Sequence, residues 1–214
     1  MTEATTTEAM TLTRKGRETR RRIIEAAADL VYEGTVAGVS LDEVCRATST
    51  SKSQLYHYFG DKNALVHAVI GHERERVLGF HRPALESLSS WDDIQRWRDA
   101  VVEAQAARAC RGGCPLGSLA SELAGLDEPA RTQLSDAFVA WEELLADGLS
   151  KMVEAGTLRA DANTTDLAVS VIASLQGGLL LAEIDRTTRP LEVALDAAIA
   201  YLRSFAPSVG RNDQ

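Results

Sequence analysis

The sequence predicts an all-α protein of about nine helices, and two observations support this fold class. Apolar residues recur at helical spacing along nearly the whole chain, whereas the alternation typical of β-strands is almost absent. Glycine and proline residues punctuate the helical segments, most clearly at residues 34, 60, 112–115, 129, 156 and 190. We therefore expect three compact N-terminal helices followed by a larger helical body.

The first predicted helix covers residues 17–33 and ends at Gly34, because glycine readily terminates a helix. Its apolar residues follow the i, i+4, i+7 spacing that places side chains on one stripe. The stripe consists of Ile23, Ile24, Ala27, Leu30 and Val31. One face of this helix is therefore expected to pack against the helices that follow.

Capping boxes predict where the second and third helices begin. Ser40 is followed three residues later by Glu43, and Ser51 is followed at the same spacing by Gln54. In each pair, the serine side chain and the acidic or amide side chain satisfy backbone N–H groups that the helix start leaves unpaired. The two helices are expected at residues 40–47 and 51–59.

The fourth helix is expected to be long and to follow Asp61, which caps it. Gly79 and Pro83 are predicted to kink or end it, because proline cannot donate a backbone hydrogen bond. Further helices are predicted at residues 91–110, 115–125, 128–155, 163–185 and 190–205. The resulting parts of the chain are a tail at 1–13, an N-terminal domain at 14–62, a C-terminal domain at 63–206 and a tail at 207–214.

The net charge of −8 is distributed unevenly along the chain. Residues 1–72 hold nine of the 23 Lys and Arg residues and nine of the 31 Asp and Glu residues, so residues 73–214 carry the whole acidic excess. Six of those nine basic residues lie at positions 14, 15, 17, 20, 21 and 22. This asymmetry favours a nucleic-acid-binding end on an acidic body, although such a run also fits a solvated helix face.

Composition excludes several other classes of protein. No apolar run approaches the roughly 18 residues that a membrane span needs, and the N-terminus lacks the apolar core and cleavage site of a secretory signal. The cysteine count of three is odd and indicates no disulfide framework. We therefore expect a cytoplasmic protein that does not contact a membrane.

Two short helices joined by a turn at residues 48–50 match the helix-turn-helix pattern. The second helix of this motif lies in the DNA major groove, with its first residues at the base edges. Leu55 and Phe59, four residues apart, are its predicted buried pair. The predicted donors to bases and phosphates are Ser51, Lys52, Ser53, Gln54, Tyr56, Tyr58 and Lys62.

Some of these polar residues also have a purely structural interpretation. Tyr58, and less readily Tyr56, would serve as a half-buried packing residue. Gln54 would serve only to complete its capping box. The neighbouring His57 is expected to pack rather than to read a base.

Residues 17–70 resemble the DNA-binding domain of tetracycline-repressor-type (TetR family) regulators. The resemblance rests on R-x-x-I-[IL]-x-A-A-x-x-L-[FV] in the first helix, G-x-x-x-x-x-[ST]-[LM]-x-[DE]-[VI] entering the second, and S-K-x-x-L-Y-x-[YH]-F-x-[DS]-K-x-x-L from the third into the fourth. It implies a homodimeric transcriptional repressor whose C-terminal domain binds a small-molecule effector and forms the dimer interface. The positions it implies in contact with double-stranded operator DNA are Ser40, Ser51, Lys52, Ser53, Gln54, Tyr56, Tyr58 and Lys62.

The turn of the motif departs from the family pattern. It reads Thr48-Ser49-Thr50-Ser51, where Ala-Gly-Val-Ser is usual. A serine in place of the glycine costs on the order of 1 kcal/mol if that position takes a positive φ. Gln54 replaces the usual threonine or serine, and its longer amide side chain has the groups to read adenine bidentately.

The C-terminal domain is predicted to enclose a ligand. Residues 110–125, CRGGCPLGSLASELAG, resemble a segment of a TetR subgroup related to flavonoid- and drug-responsive repressors. Aromatic, aliphatic and thiol side chains suit such a cavity, and they suit a plain core equally well. The candidate ligand-contacting residues are Phe80, Trp97, Val101, Cys110, Cys114, Leu119 and Trp141.

Cys110 and Cys114 form a C-x3-C pair that has several interpretations. A metal site would need further ligands, for which His81 is the one candidate, so no metal or cofactor is expected. A redox pair would make thiol oxidation the trigger instead of a ligand. The simplest interpretation is two small apolar residues in a pocket or core. No base, acid partner or oxyanion loop accompanies either thiol, so an enzyme is not expected.

The last two helices are predicted to form the dimer interface. Residues 166–184 are apolar on nearly all faces, and a helix of this kind must be covered on all faces. Pairing this helix and residues 193–205 with their copies makes a four-helix bundle, whereas a buried monomer core is the alternative. The predicted interface residues are Leu175, Gly177, Gly178, Leu179, Ala198, Tyr201 and Leu202.

Overall fold

The computed structural model describes residues 12–207, so the predicted tails at 1–13 and 207–214 lie almost entirely outside the described residues. Within that range the chain forms nine α-helices, as predicted. They are α1 (Arg14–Glu33), α2 (Leu41–Thr48), α3 (Lys52–Phe59), α4 (Lys62–Glu86), α5 (Trp91–Ala107), α6 (Pro115–Leu123), α7 (Glu128–Glu154), α8 (Thr164–Asp185) and α9 (Arg189–Arg203). The chain divides into two compact units, and the boundary between them lies between Val69 and Ile70, within α4.

The N-terminal unit is built from α1, α2, α3 and the first part of α4. The Thr13 hydroxyl accepts a hydrogen bond from the Gly16 N–H at 3.1 Å and caps α1, which ends at Gly34. Helix α1 packs against α2, and α2 packs against α3. One apolar side chain from each of these helices is fully buried in this small core, namely Ile23, Val44 and Leu55.

The turn between α2 and α3 contains a serine in the left-handed conformation. Ser49 has φ 51° and ψ 38°, so the positive φ expected at this position is confirmed, at a cost of about 1–2 kcal/mol for a residue that bears a Cβ. The buried Thr48 hydroxyl donates to the Val44 carbonyl at 2.7 Å and lies 2.7 Å from the Thr50 hydroxyl. The Thr50 hydroxyl therefore pairs with Thr48 at the position where the family pattern has an apolar valine.

Helix α4 runs through Gly79 and Pro83 to Glu86. Of the two predicted outcomes, a kink or an end at these residues, the end was wrong. A proline inside a helix costs about 3 kcal/mol, because a backbone hydrogen bond is lost and the ring crowds the preceding turn. Leu78 and Leu85, on either side of Pro83, are buried, and each contributes roughly 1.5–3 kcal/mol by burial. Tertiary packing therefore outweighs the local penalty.

In the C-terminal unit, α8 packs against α7 on one side and α9 on another. A Cβ at Gly178 would lie 2.9 Å from the Cα of Leu191, so glycine is what allows α9 to approach α8 this closely. Among the described residues, α8 is the one helix long and apolar enough, by length and composition alone, to cross a membrane. In this structure α8 packs against α7 and α9 in a helical bundle.

Candidate nucleic-acid interface and internal cavity

Helix α3 begins with the predicted capping box. The Ser51 hydroxyl accepts a hydrogen bond from the Gln54 N–H at 3.2 Å, and the Gln54 Oε1 accepts one from the Ser51 N–H at 3.1 Å. Bidentate reading of adenine needs both the oxygen and the nitrogen of the amide. Because the cap occupies its oxygen, Gln54 is in the capping state rather than the base-reading state in this conformation.

The two faces of α3 differ sharply in chemistry. Leu55 and Phe59 are buried, which confirms the predicted pair. Tyr58 is half-buried and packs edge-on against the exposed His57, with ring centroids 5.3 Å apart. The exposed residues of the opposite face are Ser51, Lys52, Ser53, Gln54 and Tyr56.

Two predicted phosphate-contacting lysines already have partners in the DNA-free protein. The Lys52 ammonium lies 2.9 Å from the Asp42 carboxylate, and that carboxylate raises the pKa of Lys52. The Lys62 ammonium donates to the Ala37 carbonyl at 3.4 Å. Both contacts are exposed, so a phosphate can compete for either ammonium.

Ser40 has a structural role at the start of α2. Its hydroxyl accepts from the Glu43 N–H at 3.2 Å and lies 2.7 Å from the Glu43 carboxylate. These bonds, together with the carboxylate's bond to the Ser40 N–H at 2.8 Å, confirm the predicted capping box. The same hydrogen bonds lower the pKa of Glu43, so this cap persists in mildly acidic solution.

An open groove joins the start of α1 to the start of α3. Its one acidic residue, Glu18, is paired with Arg21 at 2.5 Å, which lowers the pKa of Glu18. The basic run on α1 therefore lies beside the turn and the first residues of α3, where a phosphate would satisfy its charges. The sequence indicated the basic run but not the turn residues that join it in this groove. The groove is lined by Arg14, Lys15, Glu18, Thr19, Arg22, Ser49, Thr50 and Gln54.

Replacing Asp42 with asparagine is expected to raise the affinity of the protein for DNA about two- to fivefold. The change removes a carboxylate that competes with phosphate for Lys52 and repels the DNA backbone. Fluorescence anisotropy with labelled duplex DNA at several salt concentrations measures the effect. The matched control is Asp29→Asn, an exposed carboxylate on α1, and equal gains from both variants would contradict a specific role for Asp42.

The C-terminal unit contains a partly open cavity of about 260 Å³. Four of the seven candidate ligand-contacting residues line it: Phe80, Val101, Cys114 and Trp141. Trp97, Cys110 and Leu119 are buried but lie outside its wall. The complete lining is Arg76, Val77, Phe80, His81, Val101, Ala104, Arg108, Gly113, Cys114, Pro115, Trp141, Leu175 and Leu179.

A buried histidine links two tryptophans at this cavity. The Trp97 indole N–H donates to His81 Nδ1 at 3.0 Å, and the rings of His81 and Trp141 lie 4.4 Å apart. Burial lowers the pKa of His81 to about 3, so the ring is neutral near pH 7. The Trp141 indole N–H is buried without a hydrogen-bond partner in the described part of the chain.

The three cysteines are free thiols and all are buried. Burial raises the pKa of the Cys114 thiol, which disfavours the reactive thiolate. Across residues 12–207, no group of three or more His, Cys, Asp or Glu side chains could hold a metal ion. His81, the one candidate partner for Cys110 and Cys114 in a metal site, instead bonds to Trp97.

Lowering the pH is expected to destabilise the folded protein through His81. Above pH 6.5 the ring is neutral in both states, whereas below it the unfolded chain takes up a proton that the folded protein resists until about pH 3. This one group lowers the free energy of unfolding by about 1.4 kcal/mol per pH unit within that window. Urea unfolding of wild type and His81→Phe from pH 7 to pH 4 measures the difference in slope.

The control for that measurement is Phe80→Leu, which alters the same cavity wall without removing a titrating group. This variant is expected to keep the wild-type dependence on pH. Identical slopes for wild type and His81→Phe would show that His81 is not held neutral in the folded protein.

The predicted dimer-interface residues fall into two groups. Gly177 and Tyr201 are exposed, whereas the other five are buried within the protomer's own core: Leu175, Gly178, Leu179, Ala198 and Leu202. A helix that is apolar all round does not reveal which side its own chain covers. The large exposed apolar side chains of α8 and α9 are instead Val169, Leu180, Leu181, Ile184, Val193 and Tyr201.

Two protein-family models match separate parts of the chain. The model described as bacterial regulatory proteins, tetR family, matches residues 23–69, which contain the helix-turn-helix motif. The model described as tetracyclin repressor-like, C-terminal domain, matches residues 92–198, which contain most of the helical body.

Individual proteins resemble the chain over most of its length. An HTH-type transcriptional regulator from the lacX 3′ region of Lactococcus lactis subsp. lactis is 29% identical over 185 residues, covering 84% of this chain and 91% of that protein. The HTH-type transcriptional repressor DhaR of a Mycobacterium species is 25% identical over 185 residues, covering 86% and 91%. The crystal structure of a TetR transcriptional regulator from Chloroflexus aurantiacus is 27% identical with a TM-score of 0.78, covering 88% of this chain and 96% of that one.

Proposed function

The chain belongs to the TetR family of bacterial transcriptional regulators, and we propose that it is a cytoplasmic homodimeric repressor released from its operator by a small molecule. In this proposal α3 of each protomer enters a major groove of double-stranded DNA. The effector occupies the cavity of the C-terminal unit, and the protein catalyses no reaction.

The observation that carries this proposal is the division of α3 into two chemical faces. Two buried residues, Leu55 and Phe59, attach the helix to its unit. Hydroxyl, ammonium and amide groups are concentrated at its exposed N-terminal end, where a groove-reading helix contacts bases and phosphates. The basic groove between α1 and the turn supplies further charge for the DNA backbone.

Helix α4 supports the proposed response to a ligand. Its first residue, Lys62, lies beside the helix-turn-helix motif in sequence, and its second half contributes Val77, Phe80 and His81 to the cavity wall. One helix of the sequence therefore contributes residues to both sites. An effector that prefers the DNA-free conformation by about 10⁴-fold would move a 1:99 population to 99:1.

The exposed apolar surface of α8 and α9 supports the proposed homodimer. Val169, Leu180 and Ile184 follow helical spacing along one side of α8, together with the exposed Gly177. A Cβ at Gly177 would meet nothing in its own chain, so the glycine leaves room for a second helix to approach. Pairing these faces about a two-fold axis gives the four-helix bundle expected from the sequence.

Titrating the protein with DNA from its own promoter region at increasing salt tests the DNA-binding half of the proposal. The logarithm of the binding constant is expected to fall linearly with the logarithm of salt concentration, and Lys52→Ala reduces the slope by about 0.9. Arg82→Ala, an exposed cation of the C-terminal unit, serves as the control and leaves the slope unchanged. Binding without salt dependence, or equal effects of the two variants, would count against the proposal.

The thiol-triggered alternative makes a different prediction. It requires DNA affinity to change when the reductant is removed, and Cys110→Ser to abolish that change. Because both cysteines of the pair are buried and burial raises the pKa of the Cys114 thiol, we expect no dependence on the reductant.

A further inference from the structure

We propose that the cavity of the C-terminal unit selects small aromatic ligands that present a hydrogen-bond acceptor, with a carboxylate preferred, to His81 Nε2–H and to the guanidinium groups of Arg76 and Arg108. This inference rests on the proposed function, which makes the cavity the effector site. It adds the chemical class of the effector and the residues that select it.

The non-polar part of the wall suits a flat ring. Phe80 and Trp141 contribute aromatic surface, and aliphatic side chains such as Val77, Val101 and Leu175 contribute most of the rest. A volume of about 260 Å³ lies just below the range of roughly 300–1,000 Å³ that is typical of drug-sized ligands. The cavity therefore fits a ligand of one or two rings.

The hydrogen bond from Trp97 determines the tautomer of His81. An indole N–H can only donate, so the Trp97 hydrogen bond requires His81 Nδ1 to be the unprotonated acceptor. The ring is neutral because burial lowers its pKa to about 3, so its single proton is on Nε2. His81 Nε2 has no hydrogen-bond partner within residues 12–207, which leaves a fixed donor on a residue of the cavity wall.

Trp97 is thus a positioning residue for this site, because it acts through His81 and does not line the cavity. Its side chain is only 2% exposed and lies outside the layer of residues that line the cavity. If its N–H were removed, either ring nitrogen of His81 could carry the proton. The donor would then be present at Nε2 only part of the time.

The two cations at the cavity are also donors. The buried Glu73 carboxylate holds the Arg76 guanidinium at 2.8 Å, and Arg108 donates to the Gln105 side chain at 2.6 Å from the exposed edge of the cavity. A guanidinium has five N–H donors and no acceptor. Trp141 adds a buried indole N–H that lacks a partner among the described residues.

The polar side chains of the wall therefore offer hydrogen-bond donors rather than acceptors. Its lining side chains include no Asp, Glu, Asn, Gln, Ser or Thr. Every nitrogen-bearing side chain in the wall presents donors, whereas a cationic or donor-rich ligand would find no oxygen-bearing side chain to accept from it. Desolvating such a ligand without a partner is costly, so the wall discriminates against it.

Three bicyclic probes of similar shape separate charge from hydrogen-bond acceptance. They are 2-naphthoate, its neutral methyl ester and the cation 2-naphthylmethylammonium. Isothermal titration calorimetry on the full-length protein is expected to show binding in the order naphthoate, ester, ammonium, with at least a tenfold gap between the first and the last. Equal affinities, tighter binding of the ammonium, or no binding by any probe would overturn the proposal.

Substitutions then assign the selectivity to individual residues. His81→Phe keeps an aromatic ring but removes the donor, and is expected to weaken naphthoate binding about tenfold to a hundredfold while leaving the ammonium probe unaffected. Trp97→Phe leaves the lining side chains intact and is expected to weaken naphthoate binding by a smaller factor. The matched control is Trp91→Phe, because the Trp91 indole packs under Arg203 and does not line the cavity. This variant is expected to leave naphthoate binding unchanged.

The Trp97→Phe result stands even if His81→Phe disturbs folding, because it alters no lining side chain. Unchanged naphthoate affinity in Trp97→Phe and in folded His81→Phe would overturn the role of His81.

DNA release is measured separately, by adding each probe to the protein–DNA complex. Selective naphthoate binding that leaves DNA affinity unchanged would contradict the proposed release mechanism but not the ligand class. Release by all three probes equally would contradict the ligand class alone.

Discussion

Replacing both Leu180 and Ile184 with aspartate is expected to convert the protein to a monomer and to weaken binding to a two-half-site operator at least a hundredfold. The two side chains are 59% and 66% exposed in a single chain, so the substitutions remove no core packing. In a dimer they would place four carboxylates in an apolar interface, where unpaired charges are very unfavourable. A monomer would also lose the gain in affinity that comes from linking two DNA-binding units in one molecule.

Sedimentation velocity measures the oligomeric state, and circular dichroism confirms that the helices remain. The control is Leu126→Asp, which charges a side chain that is 85% exposed in the connection between α6 and α7. This variant is expected to remain dimeric and to bind DNA normally. A dimeric L180D/I184D variant would place the interface on another surface.

Leu55→Ala is expected to abolish DNA binding by releasing α3 from the N-terminal unit. Leu55 is fully buried and is one of only two buried residues of this eight-residue helix. Truncation of a buried leucine to alanine costs about 2–5 kcal/mol, and α3 has little other packing to compensate. Hydrogen exchange is expected to show loss of amide protection in α3, while the helices of the C-terminal unit keep theirs.

Tyr56→Ala provides the comparison at the neighbouring position. Tyr56 is 49% exposed, so its truncation is expected to lower DNA affinity without loss of amide protection in α3. The two variants separate a residue that packs α3 against its unit from one that is proposed to contact DNA. Normal DNA binding by Leu55→Ala would show that this helix is not the reading element.

The N-terminal unit was predictable in detail because its determinants are local. Each capping box lies within four consecutive residues, and the i, i+4 pair Leu55 and Phe59 fits only one side of a short helix. The positive φ at Ser49 followed from the position where related turns carry glycine. The Asp42–Lys52 ion pair was not predictable, because it depends on the angle between two helices.

The C-terminal unit was predictable in its helices but not in its surfaces. Whether Leu175 or Leu180 faces outward depends on where α7 and α9 pack, and both residues are leucines of the same apolar helix. Similarly, Trp97 and Trp141 are the same residue type in the sequence, yet they have different places at the cavity. Trp141 lines the cavity, whereas Trp97 lies outside its wall and orients His81 through a hydrogen bond. Pro83 shows the reverse effect, because a strong local signal was overridden by packing.

Hydroxyl-radical footprinting on the protein's own promoter region examines groove binding by α3 and pairing of two protomers in one experiment. We expect two protected segments related by a dyad, with centres about 34 Å or a multiple of that apart along the DNA. Lys52→Ala is expected to weaken both segments equally, and L180D/I184D to remove the paired pattern. A single protected segment, or uniform protection without a dyad, would show that the protein does not bind DNA as a two-fold dimer with one α3 in each half-site.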